Sequence, residues 1–358
     1  MTTYYLDPVS GNDSNAGTSF GTAWATLQKA LDSATTSGDI VVCCNTGTES
    51  TTVQIDCDTA TGATDLRINF VAGDASGNID ASQTYTIRAT AAMTALMAIS
   101  TGANNIRFQG IKFDANGNAG IAVRNPVDLA SNRFVFEDCQ FCNATGDGIS
   151  LHSIGTWYFY NCHVFGNGGN GHDSEASERG TSIQWIGGSN HDNGGRGFLS
   201  SRAGTVISRA LIYDNSGIGV DILGNGGGTV VMYNTIHNNG SHGIAHTGAS
   251  NVVVLANSIT NNVGTAVAQQ AGSIVDRIIP FSHNNLYGNG AETTRTGGLP
   301  ASNLTADPLY TSTVDGAEDF RPQAASPLIA AALGGTTIGA LGPLPSTGGG
   351  EHSYAHIG

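Results

Sequence analysis

The chain has 358 residues, 50 of them glycine, with 14 Lys+Arg against 28 Asp+Glu and a net charge of −14. That balance excludes nucleic-acid binding through a basic face, and 39% apolar with only 12% charged residues excludes a disordered acidic chain. Gly does not recur every third residue, which excludes collagen, and the wealth of Gly and Asn disfavours a helical bundle; a turn-rich β protein remains.

In chain order, the opening MTTYYLD has neither a basic n-region nor an apolar h-region. No run approaches 18 apolar residues, so no membrane partner is expected. The sequence therefore favours a protein released with a virion, or else a secreted protein given without its leader. Residues 1–48 read as an N-terminal strand and a capping helix. The helix is expected over 23–34, with Trp24, Leu27, Leu31 and Ala34 on one face, Thr22 as N-cap and Gly38 as the stop. It reads as a lid over the first coil of a repeat region.

Residues 49–290 carry this internal repeat. The segments CQFCNATGDGI, CHVFGNGGNGH, GSNHDNGGRGF, ALIYDNSGIGV, NTIHNNGSHGI and NSITNNVGTAV align on the anchors Phe141, Val164, Asn190, Ile212, Ile236 and Ile259. Phe113 and Leu286 extend the series at steps of 22–28 residues. Seven positions after most anchors stands a small residue: Gly120, Gly148, Gly171, Gly197, Gly219, Gly243 or Ala266. Short β-branched and aromatic runs such as Trp157–Phe159 and Val252–Leu255 accompany each repeat. A coil of three short strands and three turns has this length. Stacking about ten such coils gives a parallel β-helix whose strands lie about 4.8 Å apart. The small residues are expected to supply positive-φ turns. Asn234, Asn257 and Asn284, two before their anchors, are expected to form an asparagine ladder. Cys139 and Cys162 fall in the same column and read as buried thiols in preference to a disulfide. A single C-x-x-C at Cys139 and Cys142 gives no zinc site. Residues 291–345 read as a C-terminal cap. Residues 346–358 read as a Gly-rich linker and a docking tail presenting His352, Tyr354, His356 and Ile357 to a neighbouring subunit.

The N-terminal stretch resembles the cap of pectin-lyase-like right-handed β-helix proteins. It carries Asp7, Gly11, Asp13, Gly17, Gly38 and Asp39, with Ile40 where Val is usual, and residues 307–333 are similar to the closing segment of that superfamily. The resemblance implies an all-β, right-handed, single-stranded parallel β-helix, and it spans lyases, hydrolases, epimerases, tailspikes and adhesins. It also implies that a lyase would need a Lys or Arg base, with Ca²⁺ or a cation at the substrate carboxylate. Only Lys29 and Lys112 occur, Lys112 alone on the coils, and the epimerase motif Asp-Pro-His-Asp is absent. A uronate lyase is therefore disfavoured.

The columns nominate sites. Phe165, His191, Tyr213 and His237 follow successive anchors and are expected to form a solvent-facing stripe, either a sugar-stacking platform or plain solenoid stacking. Asp192 and Asp214 come next, on neighbouring coils. They suit a glycosidase carboxyl pair helped by His191 or His237, or a Ca²⁺ site, or simply a turn role like that of Asn238 and Asn261. His172, Asp173, Glu175, Glu178 and Arg179 form the densest charge cluster and read as a projecting loop. No cofactor is implied beyond that Ca²⁺ option. The reading favoured is a structural or adhesive virion protein, a decoration or spike component. Its expected partners are capsid or tail proteins, further copies of itself and a surface polysaccharide. The alternative is a carbohydrate-active enzyme using Asp192 and Asp214.

Overall fold

The computed structural model describes residues 1–58, 62, 66–100, 103–126, 132–152, 155–174, 182–201, 204–223, 228–248, 251–269 and 276–342. Among these residues three parallel sheets of eleven, ten and ten strands run along the chain, and from Ile40–Cys44 onward every third strand enters the same sheet. We call them A, starting at Thr3–Leu6, B, starting at Thr48–Thr51, and C, starting at Ile55–Cys57. This is the parallel β-solenoid that the repeat predicts.

The anchors stand in one column of sheet B, from Phe113 and Phe141 through Val164, Asn190, Ile212, Ile236 and Ile259 to Leu286. All are at most 2% exposed. Period-2 alternation turns them inward and their neighbours on both sides outward. Sheet A contributes a second interior column in which Phe70, Phe108, Phe136, Phe159 and Trp185 stack at centroid distances of 5.1, 5.4, 5.3 and 4.9 Å. Sheet C closes the core with residues such as Ile149, Phe198, Val220 and Ile244.

The asparagine ladder is present. Asn234 Nδ2 donates to Asn257 Oδ1 at 2.9 Å, Asn257 to Asn284 at 3.0 Å and Asn284 to Asn303 at 3.0 Å. A second, longer ladder stands three residues after the anchors: Asn167, Asn193, Asn215, Asn239, Asn262 and Asn289, linked amide to amide at 2.8–3.0 Å. Each amide also takes a backbone N–H from the coil before it, as Asn239 Oδ1 does from Asn215 N at 3.3 Å. Buried turn groups are thereby satisfied. All six cysteines are buried and free, Cys139 and Cys162 among them.

The repeated small residues do not have the conformation expected of them. Gly120, Gly148, Gly171, Gly197, Gly219 and Gly243 all lie outside the positive-φ set. Space selects them instead: a Cβ on Gly219 would lie 2.8 Å from Ile236 Cγ2 and 3.0 Å from Asn239 Nδ2. The left-handed turns are two other columns. One holds Asn143, Gly166, Asp192, Asp214, Asn238, Asn261 and Gly288; the other includes Asp138, Asn161, Gly187, Arg209, Tyr233, Ala256 and His283.

The capping helix is shorter than the sequence predicts. α1 spans Leu27–Ser33, and its N-cap is Thr26, whose hydroxyl accepts from Lys29 N. Thr22 belongs instead to a 3₁₀ turn. Trp24 is drawn out of the helix by a bridge to Leu6 and a stack on Tyr4 at 4.8 Å. Leu27, Ala30 and Leu31 still plug the core. Asp13 accepts from Ala25 N at 2.8 Å, Thr26 N at 3.1 Å and Thr26 Oγ1 at 2.8 Å, which sets the helix entry. Below the helix, buried Glu49 accepts from Leu27 N and, at 2.6 Å, from Tyr85 OH.

The segment from Pro308 to Leu341 folds back along the outer face of sheet B. Tyr310 OH donates to Ser258 Oγ at 2.6 Å, and Ala340 N donates to Thr235 Oγ1 at 3.1 Å. Tyr310, Phe320, Leu328, Ala332 and Ile338 form a small second core there.

Candidate binding face on sheet B

Two outward columns flank the anchors on sheet B. The column before the anchors reads Lys112, Gln140, His163, Ser189, Leu211, Thr235 and Ser258; the column after reads Asp114, Cys142, Phe165, His191, Tyr213, His237 and Thr260. The face changes abruptly along its length. Phe165, His191, Tyr213, His163 and Leu211 are half-buried and reachable. Thr235, His237, Ser258 and Thr260 are at most 5% exposed beneath the returning C-terminal segment.

The predicted stripe thus has three accessible members. Phe165 stacks on His191 at 5.4 Å and 10°, and His191 on Tyr213 at 4.6 Å and 4°. Because the rings lie face to face along the solenoid, they turn their edges to solvent. Both faces of His191 and one face each of Phe165 and Tyr213 are occupied within the stack. What the stack offers is a row of ring edges with polar atoms at the strand repeat. His237 departs from the expectation of exposure. Its Nδ1 pairs with Thr260 Oγ1 at 2.8 Å, and its ring meets Tyr310 at 5.9 Å and Phe320 at 5.2 Å. Burial lowers its pKa to about 4, so it is neutral there and cannot serve a solvent-facing substrate.

Asp192 and Asp214 both sit in a left-handed turn column, at φ 54° and 52°. Asp and Asn tolerate that conformation where most side chains do not. Asp192 pairs with His191 Nδ1 at 2.7 Å. Asp214 accepts from Asn238 Nδ2 at 2.6 Å, and burial, with Asp192, Glu318 and Asp315 nearby, raises its pKa. The carboxylates of Asp214, Asp315 and Glu318 come within 4.8 Å of one another. A hard cation such as Ca²⁺ would find oxygen ligands there, with partners for Asp214 other than the Asp192 expected.

The predicted charged loop divides. His172 and Asp173 are not on a projecting loop: they lie in the strand His172–Ser174 and are 2% and 8% exposed. His172 takes the interior position that Ile149 and Phe198 hold on the coils either side. Its ring sits among Phe159, Trp185 and Phe198, and burial lowers its pKa to about 3. Glu175, Glu178 and Arg179 lie outside the described residues, as do His352, Tyr354, His356 and Ile357.

Several further residues of this face come from the column before the anchors and from the turns. A groove of about 350 Å³ runs beside the stack, lined by His163, Ser189, Arg209, Leu211 and Leu341 among others. His163 Nδ1 pairs with Ser189 Oγ at 2.8 Å, and burial with the neighbouring His191 lowers its pKa. Arg209, exposed at a left-handed turn, makes no salt bridge among the described residues. At the other end Lys112 Nζ lies 6.0 Å from the Phe165 ring centre, and Arg88 Nε bonds Asp114 at 2.9 Å. The sequence signal for His163 and Ser189 is the alternation itself: residues before the anchors face outward just as those after them do.

The fold and its repeat place the chain in a known class. It belongs to the family described as right handed beta helix region, whose sequence model matches residues 48–185 and 180–304. Among solved structures it is similar to pectate lyase Pel9A, at 15% identity and a TM-score of 0.59 over 96% of this chain and 97% of that one. It is also similar to the A-module of the Azotobacter vinelandii mannuronan C-5 epimerase AlgE4, at 15% identity and a TM-score of 0.51 over 81% and 88% of the two chains. At these identities the likeness is one of fold. No curated protein matches the sequence.

Proposed function

We propose that this protein is a polysaccharide-binding β-helix that holds a glycan chain along the outer face of sheet B. The observation that carries the reading is the open run from Phe165 to Tyr213 with the groove beside it. Edges of His191 and Tyr213 stand beside His163, held by Ser189, and the exposed Arg209, giving donors and acceptors for hydroxyls on successive coils. A polymer of repeating units is matched by a surface of repeating units about 4.8 Å apart. Pectate and mannuronan, in the names of the two similar structures, are both polysaccharides, which supports a carbohydrate ligand.

The test is affinity electrophoresis through gels containing pectin, alginate, xylan, β-glucan or a bacterial capsular polysaccharide. At least one should retard the protein. The double variant His191→Ala/Arg209→Ala, which keeps the Tyr213–Phe320 contact, should lose at least tenfold in affinity while still unfolding cooperatively. Equal retardation of the variant, or migration unaffected by every polymer, would reject the reading.

Cleavage is the second reading, and the raised pKa of Asp214 beside Asp315 and Glu318 is what favours it. It predicts turnover of a bound polymer that Asp214→Asn abolishes. The narrower particle-bound form, a decoration or spike component anchored by 346–358, predicts copurification with a particle in fixed stoichiometry and release on deleting that tail.

A further inference from the structure

The binding face is closed at one end. Up to Tyr213 the large side chains of both outward columns, His163, Leu211, Phe165, His191 and Tyr213, are reachable, with the small Ser189 shielded between His163 and Leu211, whereas one coil further on both columns are covered, Thr235 at 1% and His237 at 5% exposed. Two groups make the wall. Phe320 packs against Tyr213 at 5.1 Å and 60°, closing the column after the anchors. Leu341 packs against the second core, as Leu211 and Tyr213 do, and lines the groove together with them, closing the column before the anchors. The wall is firmly seated, through Tyr310 OH on Ser258 Oγ at 2.6 Å and Gly339 N on Ala256 O at 2.9 Å. Toward the other end Phe165, Gln140 and Lys112 stay reachable in these columns, while Cys142 and Asp114 between them are buried, Asp114 beneath Arg88 and Asn143.

A polymer lying along these columns cannot run past the Tyr213 coil. We infer that the face recognises the terminus of a glycan chain rather than an internal stretch, with the terminal sugar in the groove under Leu341. The inference rests on the proposed polysaccharide binding. His163, held by Ser189 Oγ behind it, and the exposed guanidinium of Arg209 sit at that closed end and supply hydrogen bonds to the extra hydroxyl that distinguishes a terminal sugar from an internal one. A site built to bond a hydroxyl rejects the unit that lacks it, because its own polar groups are then left unpaired.

The experiment takes the polysaccharide that retards the protein most and compares the intact polymer with its partial hydrolysates by calorimetry. Terminus recognition predicts one binding event per chain: the molar ratio follows the number of chain ends, and affinity per unit mass rises as the polymer is cut. A ratio that follows total sugar units instead, unchanged by cutting, would overturn the inference and leave the polysaccharide reading standing. If none of the polymers binds, both fall together. Leu341→Trp narrows the closed end while leaving the stack in place. It should weaken binding of short fragments at least tenfold with no change in thermal transition, whereas unchanged binding would count against a terminal sugar in the groove.

Discussion

At the scale of single residues, one carboxyl couples the N-terminal cap to pH. Glu49 is 5% exposed and accepts from Leu27 N and Tyr85 OH, and burial raises its pKa to about 7. A carboxyl whose folded pKa is raised contributes stability that is fully present below its unfolded pKa, near 4.5, and lost as pH rises through the folded value. Stability should therefore fall by about 3 kcal/mol at most between pH 4.5 and 7 from this group. Glu49→Gln keeps an acceptor for Leu27 N and cannot ionise. Denaturant unfolding should show that decline flattened, and a wild-type slope in the variant would dismiss the role. His172 acts in the opposite sense. With its folded pKa lowered to about 3, its contribution is present above its ordinary value near 6.5 and lost as pH falls. His172→Phe, in a cage of Phe159, Trp185 and Phe198, should match the native transition at pH 7 and exceed it near pH 4. A loss of several degrees at pH 7 would show that the imidazole nitrogens are needed.

At the scale of the element, the repeating unit is a coil held to the next by its amides and its missing side chains. Asn239 Nδ2 donates to Asn262 Oδ1 at 2.9 Å and to Ile212 O at 3.2 Å, while its Oδ1 accepts from Asn215 Nδ2 at 3.0 Å. Asn239→Leu strands buried partners on two coils and should cost about 3 kcal/mol or more in urea unfolding. Gly219→Ala tests the reason for the glycine column. Its φ is not positive, so no backbone strain arises, but the new methyl meets Gly243 O at 2.7 Å and Ile236 Cγ2 at 2.8 Å. A loss of about 1–3 kcal/mol is expected from overpacking, and a neutral result would return the column to a role in backbone conformation. The repeat was legible because anchors and glycines recur in sequence. The second ladder was harder to see. Its Asn residues stand beside the turn residues Asp192, Asp214, Asn238 and Asn261, and in the sequence the two columns read as one polar pair.

At the scale of the molecule, the returning C-terminal segment divides the outer face of the solenoid into a covered part and an open part. The outer face of sheet B repeats from coil to coil, and its repetition alone singles out no position. The returning segment makes the difference, burying His237 and leaving His191 and Tyr213 at an edge. Phe320→Ala removes the ring that packs against Tyr213 and His237. It should cost about 3–5 kcal/mol of the segment's packing and raise hydrogen exchange at Thr235–His237. Exchange left as slow as in the native protein would mean that other contacts hold the wall.

The sequence by itself determined the solenoid, the register of its anchor column and the ladder at Asn234, Asn257 and Asn284, because each depends on residues recurring at the coil period. It also carried His172 at an interior position, visible once Gly171-His172 is aligned with Gly148-Ile149 and Gly197-Phe198. Tertiary structure alone decided which outward residues are a surface and which are an interface. That outcome depends on a segment distant in the chain, and no local period records where such a segment lies down. For the same reason the stripe from Phe165 to His237 was readable as a column, while its division into three accessible rings and one buried ring was not.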